Sequence, residues 1–368
     1  MTANAQPPLN DVARTGMARG ELLGWLHART RLPLRHLDAL LQRFERAEPG
    51  GFAAYAAAPL DRDRAGDQSD GFEVGGARTA EAAPEPRLFI KQLNDPRYHE
   101  AWHYLALQPV GAPIPNLYGW MGNPDGREVL FMERLRIDLR DDALAPASCD
   151  YETFIRLIAH FNSLRPPTRY VLQLPSADIA GVLEGTLPAL KAVEAQGRRG
   201  ALGPEIARFL ARPEHTRARL AAQLAALAEN VRGMHRGLIH GDLFPRHVGV
   251  RPDTGEWLVI DLLYTQMGPR LFDLAPFLGA PADASRMTRA RRRRLAAVYL
   301  ERYAGAPHPP DGVEALLAEA ATLWLAWEFR NLRRWMLSAL EETKNGVLPD
   351  SRRWLLSRLE QLAAWPGN

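Results

Sequence analysis

The sequence predicts a mixed α/β chain in which a small sheet-containing lobe precedes a larger helical one. Three observations carry this. Two short apolar runs, Leu88-Phe89-Ile90 and Val129-Leu130-Phe131-Met132, read as strands in the first part of the chain. From Tyr151 onward most segments repeat their apolar residues at helical spacing. Between Leu238 and Leu262 that periodicity breaks into two short apolar strands around polar loops, and the densest polar motif sits there.

Taken in order, the first fifteen or so residues are polar and contain proline, as frayed ends do. Leu34, Leu37, Leu40, Leu41 and Phe44 then repeat as one apolar helix face, closed by Pro49, Gly50 and Gly51. Asp61 to Pro86 is rich in Gly, Ala and charge, with a strand-like piece at Phe72-Glu73-Val74. A strand over Arg87 to Leu93 and a helix from about Arg97 to Leu107 follow, then the strand around Val129 to Met132. Helices are expected over Tyr151 to Leu164, over Glu205 to His235, and beyond Asp273 to the end. Trp324, Trp327, Trp335 and Trp354 would fill the core of that last part. No internal repeat is present. The division this suggests is an N-terminal helical extension (1–60), a nucleotide-binding lobe (61–135) and a helical lobe holding the catalytic and metal-binding loops (136–368).

The 368 residues are 46% apolar and 24% charged, a globular balance far from that of a disordered tail or a membrane channel. A net charge of +3 makes no case for a nucleic-acid partner. The single cysteine, Cys149, excludes an intrachain disulfide and fits a reducing compartment. Met1 to Gly16 has no apolar leader core, and the most apolar stretch, Ala315 to Trp327, is short and interrupted by Glu319. The expectation is a cytoplasmic protein without a transmembrane segment. The run of arginines from Arg289 to Arg294 reads as a solvated helix face.

The chemistry concentrates in His240-Gly241-Asp242-Leu243-Phe244-Pro245-Arg246-His247-Val248-Gly249-Val250, followed eleven residues past Val250 by Asp261 after Trp257-Leu258-Val259-Ile260. A hairpin between the two segments would bring both acids to one edge. That arrangement suits phosphoryl transfer, whose catalysis is mostly positioning and charge neutralisation. One carboxylate, Asp242, would orient the attacking hydroxyl and accept its proton. The other, Asp261, would hold Mg²⁺, which prefers oxygen ligands.

His240-Gly241-Asp242, the five-residue step to His247, and Ile260-Asp261 resemble the catalytic and metal-binding segments of the aminoglycoside phosphotransferase and choline kinase families. The resemblance implies a bilobal protein-kinase-like α/β (α+β) fold, with a small β-rich N-lobe, a larger helical C-lobe and an extra N-terminal helical segment. It also implies ATP or GTP as phosphate donor and a small molecule with a hydroxyl as acceptor. Such an acceptor would be an aminoglycoside-like antibiotic or a sugar or amino-alcohol metabolite. Within it, Gly268-Pro269-Arg270-Leu271-Phe272-Asp273-Leu274-Ala275 is similar to the segment whose aspartate steadies the catalytic loop, so Asp273 takes that role and His240 braces the loop. Gly66 and Ser69 resemble the turn that covers the phosphates, and Lys91 the lysine that contacts them, with Glu100 on the next helix as its partner. Met132-Glu133-Arg134-Leu135 looks like the hinge that meets the adenine with Met132, Glu133 and Leu135. His247 stands where these families place asparagine as second metal ligand; it reads either as a metal ligand, whose nitrogen would tilt the site from Mg²⁺ toward Mn²⁺, or as a hydrogen-bonding residue of the loop. Histidine there is also a feature of lipopolysaccharide-core kinases, which leaves a lipopolysaccharide sugar kinase as one alternative. A nucleotide-binding pseudokinase or scaffold is another.

Overall fold

The computed structural model describes residues 16–30, 32–45, 69–74, 88–93, 99–122, 127–136, 149–198, 208, 215–280, 287–303, 305 and 308–344. In chain order the elements are α1 (Arg19–Thr30), α2 (Leu34–Glu45), β1 (Ser69–Val74), β2 (Leu88–Leu93), α3 (Ala101–Leu107), β3 (Leu117–Gly122), β4 (Glu128–Glu133), α4 (Cys149–Asn162) and the one-turn α5 (Thr168–Val171). There follow α6 (Ile179–Glu184), α7 (Thr186–Arg198), α8 (His215–Arg232), β5 (Arg236–Ile239), β6 (Val248–Val250), β7 (Trp257–Val259), β8 (Gln266–Pro269), α9 (Arg289–Tyr303) and α10 (Val313–Lys344). The chain forms two compact units, residues 1–175 with 242–265, and residues 176–241 with 266–368.

In the first unit, four strands make an antiparallel sheet in the order β1-β2-β4-β3. Strand side chains alternate between faces, and this decides how the sheet is used. Leu88 and Ile90 of β2 and Val129 and Phe131 of β4 point to one face, where they are buried with Leu22, Leu26, Leu37, Leu40, Leu41 and Phe44 of α1 and α2. Phe44 meets Phe131 edge to face at 6.0 Å. The N-terminal helices therefore supply half of this core. Lys91 lies on the opposite face, paired in register with Leu130 of β4. A second small ladder, β6 with β7, is the expected hairpin between the two acids. Its edge is tied to the chain after β4 by reciprocal backbone hydrogen bonds between Arg136 and Val250, 2.9 and 2.8 Å.

The second unit is helical around the β5–β8 ribbon, in which Leu238 faces Met267 and Ile239 faces Gln266. The long helix α10 lies along the π-helical turn Ala275–Gly279 and along α7, burying Trp324, Phe329 and Met336. Arg270 is buried and paired with Glu319 of α10 at 2.8 Å.

Several expectations are corrected. Leu34 opens α2 but is 51% exposed and lies outside the cluster that buries Leu37, Leu40, Leu41 and Phe44. The helix after β2 begins at Ala101, with Glu100 as its flanking residue rather than inside it. Strand β3 has no counterpart in the sequence reading: Gly119 interrupts its apolar run, and the register shifts there. The strand read at Phe72 starts three residues earlier, at Ser69. Of the helix read over Glu205 to His235, Arg208 and His215–Arg232 are helical among the described residues, and Arg236 already belongs to β5. Trp324 is core, Trp327 and Trp335 are half-buried, and Trp354 lies outside the described residues. Among the described residues no helix is long and apolar enough to cross a membrane.

Candidate active site

Strand β2 delivers Lys91 to the sheet face that the N-terminal helices leave uncovered. Its ammonium is buried and bonds Glu100 Oε2 at 2.6 Å and Asp261 Oδ1 at 2.8 Å. Burial opposes the charged form of Lys91, but Asp261 and Glu100 outweigh it and its pKa is raised. The two carboxylates share one ammonium. Burial raises the pKa of Glu100, against the pull of Lys91. The other oxygen of Glu100 accepts the N–H of Leu262 at 2.8 Å and the hydroxyl of Tyr104 at 3.3 Å. A single carboxyl thus grips both the lysine and the backbone next to Asp261.

Asp261, two residues past the end of β7, is in the left-handed region, φ 65° and ψ 62°. That conformation is uncommon outside glycine, and aspartate is one of the few residues that tolerates it. It turns the carboxylate back across the hairpin. Asp261 Oδ2 lies 3.7 Å from His247 Nε2. His247 Nδ1 sits 2.5 Å from the backbone carbonyl of Asp242 and donates to it, which in a neutral ring leaves the lone pair on Nε2. An imidazole held this way by a carbonyl is the usual form of a metal-ligating histidine. His247 and Asp261 could therefore offer one nitrogen and one oxygen to a divalent cation. Among the described residues no three acidic, histidine or cysteine side chains form a cage. A cation here would draw its other ligands from phosphate oxygens and water, as Mg²⁺ ordinarily does.

Asp242 is part-exposed, its Oδ2 3.5 Å from Arg246, whose guanidinium stacks on Phe244 at 4.5 Å. Gly241, immediately before it, has φ 83°, which a side chain would strain. Within the second unit, Asp273 accepts the N–H groups of His240 at 2.7 Å and of Gly241 at 2.8 Å. Both His240 and Asp273 are buried.

The remaining sequence-read residues are less gathered. Gly66 lies outside the described residues, and Ser69 opens β1 opposite Leu93. Met132 and Glu133 end β4. Glu133 gives its N–H to Asn116 and its carboxylate to Arg251, at 2.5 and 3.0 Å. Leu135 is buried against Gly249, where a β-carbon would meet it at 2.6 Å. Two residues escaped the sequence reading. Arg246 was hidden in a polar loop. Glu128 was legible only as a position two before Leu130, hence on the Lys91 face.

A four-stranded sheet carrying a lysine–glutamate pair, with an aspartate hairpin against it, is an arrangement of the protein-kinase-like class. Residues 84–314 match the model of the phosphotransferase enzyme family (APH), and the chain belongs to that family. It is a small-molecule kinase with an alcohol group as acceptor. Among solved structures, it resembles Plasmodium vivax ethanolamine kinase at 10% identity and TM-score 0.55, over 98% of each chain. It also resembles aminoglycoside 2'-phosphotransferase-IIIa in its GDP complex at 14% identity and TM-score 0.55, over 89% of this chain and 98% of that one. Spectinomycin phosphotransferase, solved with ADP and spectinomycin, matches at 11% identity and TM-score 0.51, over 83% and 88%. At these identities the likeness speaks for the fold. No curated protein matches the chain.

Proposed function

We propose that the chain transfers the γ-phosphoryl group of ATP or GTP to a hydroxyl of a small molecule, of the aminoglycoside-like, sugar or amino-alcohol kind. The observation that carries this reading is the buried Lys91–Glu100 pair joined by the half-buried Asp261, with His247 and Asp242 on the adjoining loop. Lys91 neutralises the nucleotide's phosphates, and Glu100 keeps its ammonium aimed. Asp261 and His247 would hold a divalent cation, which would neutralise phosphate charge. Asp242 orients the acceptor hydroxyl and takes its proton as the oxygen bonds to phosphorus; the bond to the nucleoside diphosphate breaks, and the diphosphate leaves. Asp273 and His240 hold the backbone that precedes Asp242 in its turn. Support for the donor comes from ADP in the spectinomycin enzyme and GDP in the aminoglycoside enzyme.

The test is a screen of aminoglycosides, sugars and amino alcohols with ATP or GTP and Mg²⁺ or Mn²⁺, read by mass. An acceptor gaining one phosphate, and losing that gain with Asp242→Asn, is the expected result. Nucleotide turnover with no acceptor modified in any class would count against small-molecule O-phosphorylation.

A further inference from the structure

We propose that Glu128 is a positioning residue for the nucleotide site: it holds the backbone from which Glu100 reaches Lys91. The inference rests on the reading of Lys91 and Asp261 as the residues that gather phosphates and cation.

Glu128 opens β4 and is buried. Its position, two before the register partner of Lys91, puts it on the same sheet face as that lysine. Its Oε2 accepts two consecutive backbone N–H groups, from Glu100 at 2.6 Å and from Ala101 at 3.1 Å. These are the first donors of α3, which helix geometry leaves without partners inside the helix. Glu100 occupies the N-cap position yet makes no capping bond to its own helix. The cap is instead supplied from another strand, and the carboxyl of Glu100 is spent on Lys91, Leu262 and Tyr104. With seven residues, α3 is too short to hold its start in place by its own hydrogen bonds. The direct consequence concerns Lys91. If the start of α3 drifts, Glu100 leaves the ammonium, and Lys91 falls back on Asp261, drawing that carboxylate away from a cation.

Burying a carboxyl this completely is costly, and a fold that needed only a helix cap has cheaper ones in serine or threonine. The Oε1 atom has no hydrogen-bond partner among the described residues, and His99 Nδ1 is 3.9 Å away. What a glutamate adds is reach: from the end of a strand it spans to two amides of the next layer.

The experiment measures nucleotide affinity by calorimetry, with MgATP and MgGTP, well below the melting point of each variant. Glu128→Gln keeps an acceptor oxygen at the same reach and should bind within about threefold of wild type. Glu128→Met fills the same space without an acceptor and should weaken binding by about tenfold or more, the scale seen when groups that orient a ligand residue are removed. Should Glu128→Met not fold, Glu128→Asp serves: its acceptor falls short of the amides, so it should weaken binding where Gln does not. A merely structural role would lower the melting point of Met or Asp variants while leaving their affinity at the wild-type value, and that result overturns the inference. Failure of wild type to bind either nucleotide would overturn the nucleotide-site reading, and this inference with it. Wild-type binding with an indifferent Glu128 overturns this inference alone.

Discussion

At the scale of single residues, the roles proposed for Asp242 and Lys91 are separate tasks with separate tests. If Asp242 is the base, its loss is felt in the transition state more than in nucleotide binding. Asp242→Asn should lower turnover by about 10²-fold or more with nucleotide affinity little changed. An Asn variant that turns over an identified acceptor at the wild-type rate would make Asp242 a turn residue only. His247 provides a second case. Its Nδ1 is committed to the carbonyl of Asp242, and its Nε2 faces Asp261 at 3.7 Å. His247→Asn should shift activity toward Mg²⁺ relative to Mn²⁺. An unchanged ratio in paired assays would remove His247 from the metal's ligands. Glu128 allows a pH argument. Burial raises its pKa from 4.5 to about 8, against the two amides that favour its charged form. Since the folded value exceeds the unfolded one, the proton on Glu128 stabilises the fold. That contribution is whole below 4.5 and is lost as pH climbs through about 8. Glu128→Gln cannot lose a proton. Its urea midpoint should decline less than that of wild type between about pH 5 and about pH 9. Parallel declines would mean that Glu128 is ionised throughout.

Among the elements, the sheet is shared between two uses by the alternation of its side chains. One face of β2 and β4 is closed by α1 and α2, and the other carries Lys91 and Glu128. The N-terminal helices are thus part of the first unit's core, with Arg19 paired to Asp38 at 2.6 Å to join α1 and α2. Phe44→Ala empties a buried site against Phe131 and should cost about 3–5 kcal/mol in urea unfolding. Nucleotide affinity of the folded variant should stay within about twofold, because the cavity opens on the face away from Lys91. A large loss of affinity with little loss of stability would contradict this division of faces. The hairpin β6–β7 is the other element with a plain purpose. It carries His247 and Asp261 at its two ends, and Ile260 N–H bonds the carbonyl of His247 at 3.0 Å. Strand β3 shows what pattern reading loses: its glycine and shifted register hide an alternation that the ladder with β4 restores.

For the whole molecule, the relevant quantity is linkage between ligand and fold. A nucleotide and a cation that bind only the native state stabilise it by mass action. The melting point should rise with ATP or GTP and Mg²⁺ or Mn²⁺ together, by more than with either component alone. Asp261→Asn should abolish the metal-dependent part of that rise. A melting point indifferent to every combination at millimolar ligand, about the concentration at which such sites saturate, would sink the nucleotide reading.

The sequence by itself determined the order of a strand-bearing part before a helical one, most of the apolar face of α2, and the hairpin segment that carries Asp242, His247 and Asp261. Those are local facts: periodicity reports which side of an element is apolar, and the loop's residues sit within one short stretch. Tertiary structure alone decided which distant groups meet. Lys91 and Asp261 are 170 residues apart, and Glu128 stands 28 from Glu100. No spacing encodes those contacts. They follow from sheet register and from burial, which forces each charged group taken out of water to find a partner.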